Sequence, residues 1–130
     1  MPNGFHGPKS EWSRMEAPLL SIDDRLESFA QSHGLEVSRN YHNWPERSLK
    51  WNVSAVGKLI QIFLHEERDL TFTVWICASA DRGKKRFWKQ KRLREAVAIE
   101  EIAPDLQAIL TEAKRTLDGW SETDLEPASG

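Results

Sequence analysis

Residues 58–79, KLIQIFLHEERDLTFTVWICAS, alternate apolar and polar side chains in two runs separated by the charged break Glu66–Asp69. Alternation with period two puts successive side chains on opposite faces of a strand, and a four-residue polar break is of hairpin length. The stretch therefore predicts two antiparallel strands, 58–65 and 70–79. Ile60, Ile62 and Leu64 fall on one side of the first, and Leu70, Phe72, Val74, Ile76 and Ala78 on one side of the second. These sets are expected to face the core. The opposite face then carries Gln61, Phe63, His65, Thr71, Thr73, Trp75, Cys77 and Ser79, too aromatic for an ordinary solvent face and too polar for an ordinary core.

Upstream, Leu49, Trp51 and Val53 alternate with Ser48, Lys50 and Asn52, so 48–53 reads as a third strand with its apolar side inward. Before it, Asn40 to Pro45 form an aromatic turn, because Pro45 disfavours helix at Trp44. A short extended piece around Val37–Arg39 precedes the turn. Ile22, Leu26, Phe29 and Ala30 recur at helical spacing, with Ser21 and Asp24 as a capping pair and Gly34 as the closing residue. A helix over 22–33 follows. Residues 1–20, with Pro2, Gly4, Gly7, Pro8 and Pro18, show no period and are expected to form an irregular lead-in.

Downstream, Arg82–Arg94 (RGKKRFWKQKRLR) holds eight of the 18 Lys and Arg residues and no acid. As a helix this run would set cations against the positive end of the macrodipole and would lack a continuous apolar stripe. A strand is the better reading, with Phe87 and Leu93 on one face and Trp88 on the other. From Ala103 to Trp120, Ile102, Leu106, Ile109, Leu110, Ala113 and Leu117 make one apolar stripe, with Pro104 at a first-turn position. Residues 121–130 read as an acidic, fraying tail. The whole predicts an α+β fold: a two-layer sandwich with a three- to five-stranded antiparallel meander sheet and an N-terminal and a C-terminal helix on one of its faces. The folded body is expected over 21–120, as a single domain.

Composition narrows the function classes. The net charge of −2 divides into −3 over residues 1–81, +8 over 82–94 and −7 over 95–130. A nucleic-acid domain usually has a basic balance throughout, so the local run favours that class and the balance opposes it. Cys77 is the one cysteine, which excludes an internal disulfide framework and fits a reducing compartment. No apolar stretch approaches the roughly 18 residues of a membrane helix, and the N-terminus lacks the apolar centre of a secretory signal. A cytoplasmic chain without a membrane partner is expected.

Three places carry candidate binding residues. In the basic run, Arg82, Lys84, Lys85 and Arg86 suit phosphates while Trp88 suits a base; the same cations suit an outer strand that resists edge-to-edge pairing. On the second sheet face, Phe63 and Trp75 resemble stacking platforms, and equally a patch covered by another segment or a second copy. In the aromatic turn, Tyr41, His42, Trp44 and Arg47 combine ring faces, an imidazole and a guanidinium, although Trp-Pro also pins loops onto cores. Metal and catalytic spacings are absent: the four histidines have no partner at ligand distance, Cys77 lies mid-strand without a nearby base, and no glycine pattern forms a phosphate loop. No cofactor, metal or catalytic residue is expected. The leading expectation is a binding or adaptor module that holds a protein partner or a second copy of itself. The alternatives are a nucleic-acid binder using 82–94 and a small enzyme with a pocket near 40–47.

Overall fold

The computed structural model describes the backbone of residues 9–41 and 44–128 and the side chains of 12–39 and 45–128. In chain order it runs α1 (Lys9–Leu20), α2 (Asp23–His33), β1 (Glu36–Tyr41), β2 (Trp44–Val53), β3 (Val56–Glu66), β4 (Thr71–Arg82), β5 (Lys85–Ala98), α3 (Ile99–Ile102), α4 (Leu106–Asp118) and β6 (Glu126–Pro127), with 3-10 turns at Ala103–Asp105 and Glu122–Asp124. The strands form one antiparallel sheet in the order β1-β2-β3-β4-β5-β6, so each strand pairs with its sequence neighbour. Among the described residues the sheet has six strands rather than three to five: the basic run pairs with β4 as the expected strand, and the tail adds the unexpected β6.

The alternation that predicted the central hairpin determines its faces. Ile60 pairs with Ile76 and Ile62 with Val74, and Leu49 pairs with Ile60. All five are buried, together with Leu64, Phe72 and Ala78. The stripe of α4 (Leu106, Ile109, Leu110, Ala113, Leu117) and the apolar positions of α1 and α2 join them in one core. The helices therefore lie on one face of the sheet, and what drives this is removal of roughly 1.5–3 kcal/mol worth of apolar surface per large side chain from water.

Several local expectations are corrected. Residues 9–20 form α1 rather than an irregular lead-in. Its buried stripe, Met15 and Leu19 with half-buried Trp12, is narrow, and Pro18 sits in the last turn, where the helix is already ending. Ser21 does not cap α2: its hydroxyl donates back to Pro18 O at 2.6 Å, Ile22 occupies the N-cap, and the helix begins at Asp23. Gly34 closes α2 at φ 68°, a left-handed conformation that glycine adopts without the penalty of a Cβ. Val53, expected inward, is 49% exposed at the tip of the β2–β3 hairpin, where Ser54 takes φ 54°. Leu70, expected as the first inward residue of its strand, lies in the turn before β4 at φ 49°. The described part of the tail, 121–128, is structured. Ser121 and Asp124 close a reciprocal capping box, Leu125 is buried, and Glu126–Pro127 pair with Trp88 and Phe87.

Two cations are built into the covered side. Arg47, 1% exposed, donates from Nε to Asp23 Oδ1 at 2.6 Å and from Nη2 to Asp23 Oδ2 and Glu16 Oε1, each at 3.1 Å. Its Nη1 also reaches the backbone oxygens of Arg39 and Glu46. One guanidinium thus ties α1, α2, β1 and β2 together. Lys58, 5% exposed, donates from Nζ to Leu117 O, supplying a cation to the negative end of α4.

Candidate functional site

The face of the sheet turned away from the helices is the candidate site. Strand parity puts Lys50 and Asn52 of β2, Leu59, Gln61 and Phe63 of β3, Trp75, Cys77 and Ser79 of β4, and Arg86, Trp88, Gln90 and Arg92 of β5 on it. Cross-strand pairing makes them neighbours: Gln61 opposes Trp75, Trp75 opposes Arg92, Leu59 opposes Cys77, Cys77 opposes Gln90, and Ser79 opposes Trp88. Side chains directly opposite one another across a sheet lie about 5 Å apart at Cβ, close enough to form a continuous surface.

Two shallow depressions mark this surface. A cleft of about 460 Å³ is lined by Leu59, Trp75, Cys77, Ser79, Arg86 and Trp88 together with Lys50, Asn52 and their neighbours. A second, of about 200 Å³, is lined by Gln61, Phe63, Trp75, Gln90 and Arg92. Trp75 belongs to both and is held upright by its indole N–H, which donates to Gln90 Oε1 at 2.8 Å. Trp88 is 37% exposed, one of three large apolar side chains so exposed among the described residues. Among the described residues no helix packs over these side chains; the helix contacts reach the sheet through its other face.

The charges of this face are paired. Arg86 Nε lies 3.0 Å from Asp81 Oδ1, Arg92 pairs with Glu95, and Lys50 lies 3.8 Å from Glu36. The eight cations of 82–94 do not converge on it. Arg82 stacks on Phe87 at 4.3 Å and meets Glu122 at 3.4 Å, Lys84 is at the β4–β5 turn, and Lys89 lies 5.0 Å over the ring of Trp120 on the helix side. Alternation along β5 gives Arg86 and Arg92 to the aromatic face and Lys89 and Lys91 to the other. Lys85 begins β5 opposite Arg82.

Two titratable groups on this side are perturbed by burial. Glu46, 3% exposed beside Phe63 in the register, accepts from Gln61 Nε2 at 2.9 Å and Ser48 Oγ at 3.3 Å. Desolvation raises its carboxyl above the ordinary value, and the two hydrogen bonds only partly oppose this. Desolvation likewise pushes the Cys77 thiol up to about 11, with Arg86 pulling weakly the other way. Burial of this kind lowers the share of thiolate at neutral pH.

The sequence-derived candidates thus separate. Phe63, Trp75, Arg86 and Trp88 come together on one surface. Arg82, Lys84 and Lys85 cluster at the β4–β5 turn, away from the aromatic centre. Arg47 is turned to the covered side and committed to Asp23 and Glu16. His42 lies outside the described residues, as do the side chains of Tyr41 and Trp44, whose backbones pair across β1 and β2. Leu59 and Gln90 join the surface without having been singled out, beside Gln61, which alternation had already placed there, and Arg92 of the basic run; β3–β4–β5 register was the signal that links them. Among the described residues no cluster of His, Cys, Asp and Glu is arranged to hold a metal ion, and no helix is long and apolar enough to cross a membrane. No protein-family model, curated protein or solved structure matches the chain.

Proposed function

We propose that this protein is a binding module that holds a protein partner, or a second copy of itself, on the outer face of its sheet. The observation that carries the reading is the aromatic and aliphatic centre Leu59, Phe63, Trp75 and Trp88, uncovered by any described helix and rimmed by Arg86, Arg92 and Lys50 with their acids. Protein interfaces have this anatomy: aromatic and Arg-rich, apolar at the centre, polar and charge-paired at the rim. A rigid strand scaffold also presents such side chains with little ordering cost on binding.

A second reading, single-stranded nucleic acid, is favoured by Arg86, Trp88 and Arg92 sharing a surface with Phe63 and Trp75. Against it, both arginines carry carboxylate partners and the other cations of the run point elsewhere. Binding to generic oligonucleotides, followed against salt, discriminates. The protein reading expects none at low salt, whereas a basic groove that releases counterions would give a steep slope. The positive test is photo-crosslinking in the cells that make the protein. Benzoylphenylalanine replacing Gln61 should capture a discrete protein adduct, and the same group replacing exposed Gln107 on α4 should not.

A further inference from the structure

We propose that the free edge of β5 from Lys89 to Arg92 takes up an extended acidic segment of a partner protein as an additional strand, in line with β6. The inference rests on the edge rather than the outer face and is independent of the reading above.

The edge already accepts one such segment, from this chain. Glu126 pairs with Trp88 and Pro127 with Phe87, and Ala128 N donates to Arg86 O at 2.8 Å. That bond identifies which backbone groups point outward. Arg86 and Trp88 direct their N–H and C=O to β6, while Phe87 turns back to β4, and Pro127, which has no N–H, falls at the position that needs none. The same parity continues along the strand: Gln90 and Arg92 are the next residues with edge-directed backbone groups, and no described strand pairs with them. Residues 88–92 are all exposed. An open cleft of about 300 Å³, lined by Trp88, Lys89, Gln90, Asp124, Glu126 and Pro127, lies where the tail leaves the edge.

Charge selects the occupant. From Lys85 to Arg94 the strand carries six cations and no acid, whereas the docked segment, Glu122–Pro127, carries three acids and no cation. Arg82 meets Glu122, and Lys89 adds to the hold of the Ser121 backbone N–H and hydroxyl in keeping the Asp124 carboxyl below its ordinary value. A second copy of β5 would bring Lys89, Lys91, Arg92 and Arg94 against themselves, so the cations that protect this edge from self-pairing admit an acidic strand. Acids on one side of that strand would face Lys89 and Lys91, and its other side would lie beside Trp88 and Arg92.

The probe is a fluorescein-labelled, end-blocked peptide of four Glu-Val repeats, followed by anisotropy at 50 and 200 mM salt against a Lys-Val control. The acidic peptide should bind and weaken with salt, and the basic one should not bind. Lys89→Glu/Lys91→Glu should cost about tenfold or more in affinity. Gln90→Pro, which removes an edge N–H and leaves the β4 ladder intact, should cost a comparable factor. Hydrogen exchange on the unmodified protein gives the same test without a variant: the Gln90 and Arg92 amides should gain protection when the peptide is saturating. Absence of binding at 50 mM salt overturns the proposal, and so does binding that leaves those two amides unprotected, since that would be surface charge attraction without strand addition.

Discussion

The two faces of the sheet come from the same strands, yet one is uniformly apolar and covered while the other is mixed and has no described helix over it. The helix-covered face carries Ile60, Ile62, Val74 and Ile76, all at most 1% exposed, and closes around the buried Arg47–Asp23–Glu16 network. The outer face carries Leu59, Phe63 and Trp75, half-buried by their neighbours alone, and exposed Trp88. Leu59, Phe63 and Trp75 thus stand among polar residues on the outer face, while the helices supply cover only for the other. A face that repays its apolar residues through folding needs no other purpose. One that does not is the basis for the binding role proposed above.

That contrast can be broken by mutation, and the largest effect belongs to the covered side. Arg47→Ala leaves Asp23 buried without its bidentate partner, and should lower unfolding free energy by about 3–5 kcal/mol in urea denaturation. An ordinary surface arginine would show a small fraction of this. Ile76→Ala, at the centre of the core, should cost about 2–5 kcal/mol with no change in the slope of the transition.

Glu46 lies between the two regimes, buried on the outer side without a cation among the described residues. Its folded-state pKa is raised, so the protonated form is favoured by folding. The associated stability is fully present below the unfolded value of about 4.3 and is lost as pH rises through the folded value. Glu46→Gln keeps an acceptor for Gln61 and removes the charge. It should stabilise the protein at neutral pH, an advantage that disappears below about pH 4. A variant less stable at pH 7 would mean that the carboxylate has a compensating partner.

The smallest stability effect belongs to the outer face. Trp88→Ser should lower unfolding free energy by about 1 kcal/mol, less than Ile76→Ala, because over a third of the indole is already exposed whereas Ile76 is fully buried. A loss comparable with that of Ile76→Ala would erase the distinction between the faces.

How much of this was legible in the sequence follows from range. The central hairpin, the β5 strand, the α4 stripe and the Gly34 closure rest on spacing within a dozen residues, and all were readable. Arg47 was not. Its partners lie 24 and 31 positions away, so the residue looked like part of an aromatic turn rather than the tie between two helices and two strands. The α1 stripe was too narrow to stand out beside Pro18, and β6 is two residues held by an edge that only tertiary structure creates. On the outer face, alternation alone put Phe63 and Trp75 on one side of adjacent strands. That Trp88 joins them, with Arg86 and Arg92 but not Lys89 and Lys91, needed the β4–β5 register.

The most direct test of the central claim is the paired photo-crosslink. With benzoylphenylalanine at position 61 of the outer face and, separately, at position 107 on the helix side, the account predicts a discrete protein adduct from 61 alone, abolished when Trp88→Ser is added. Equal labelling from both positions, or none from 61 in cells where the protein is abundant, would contradict it.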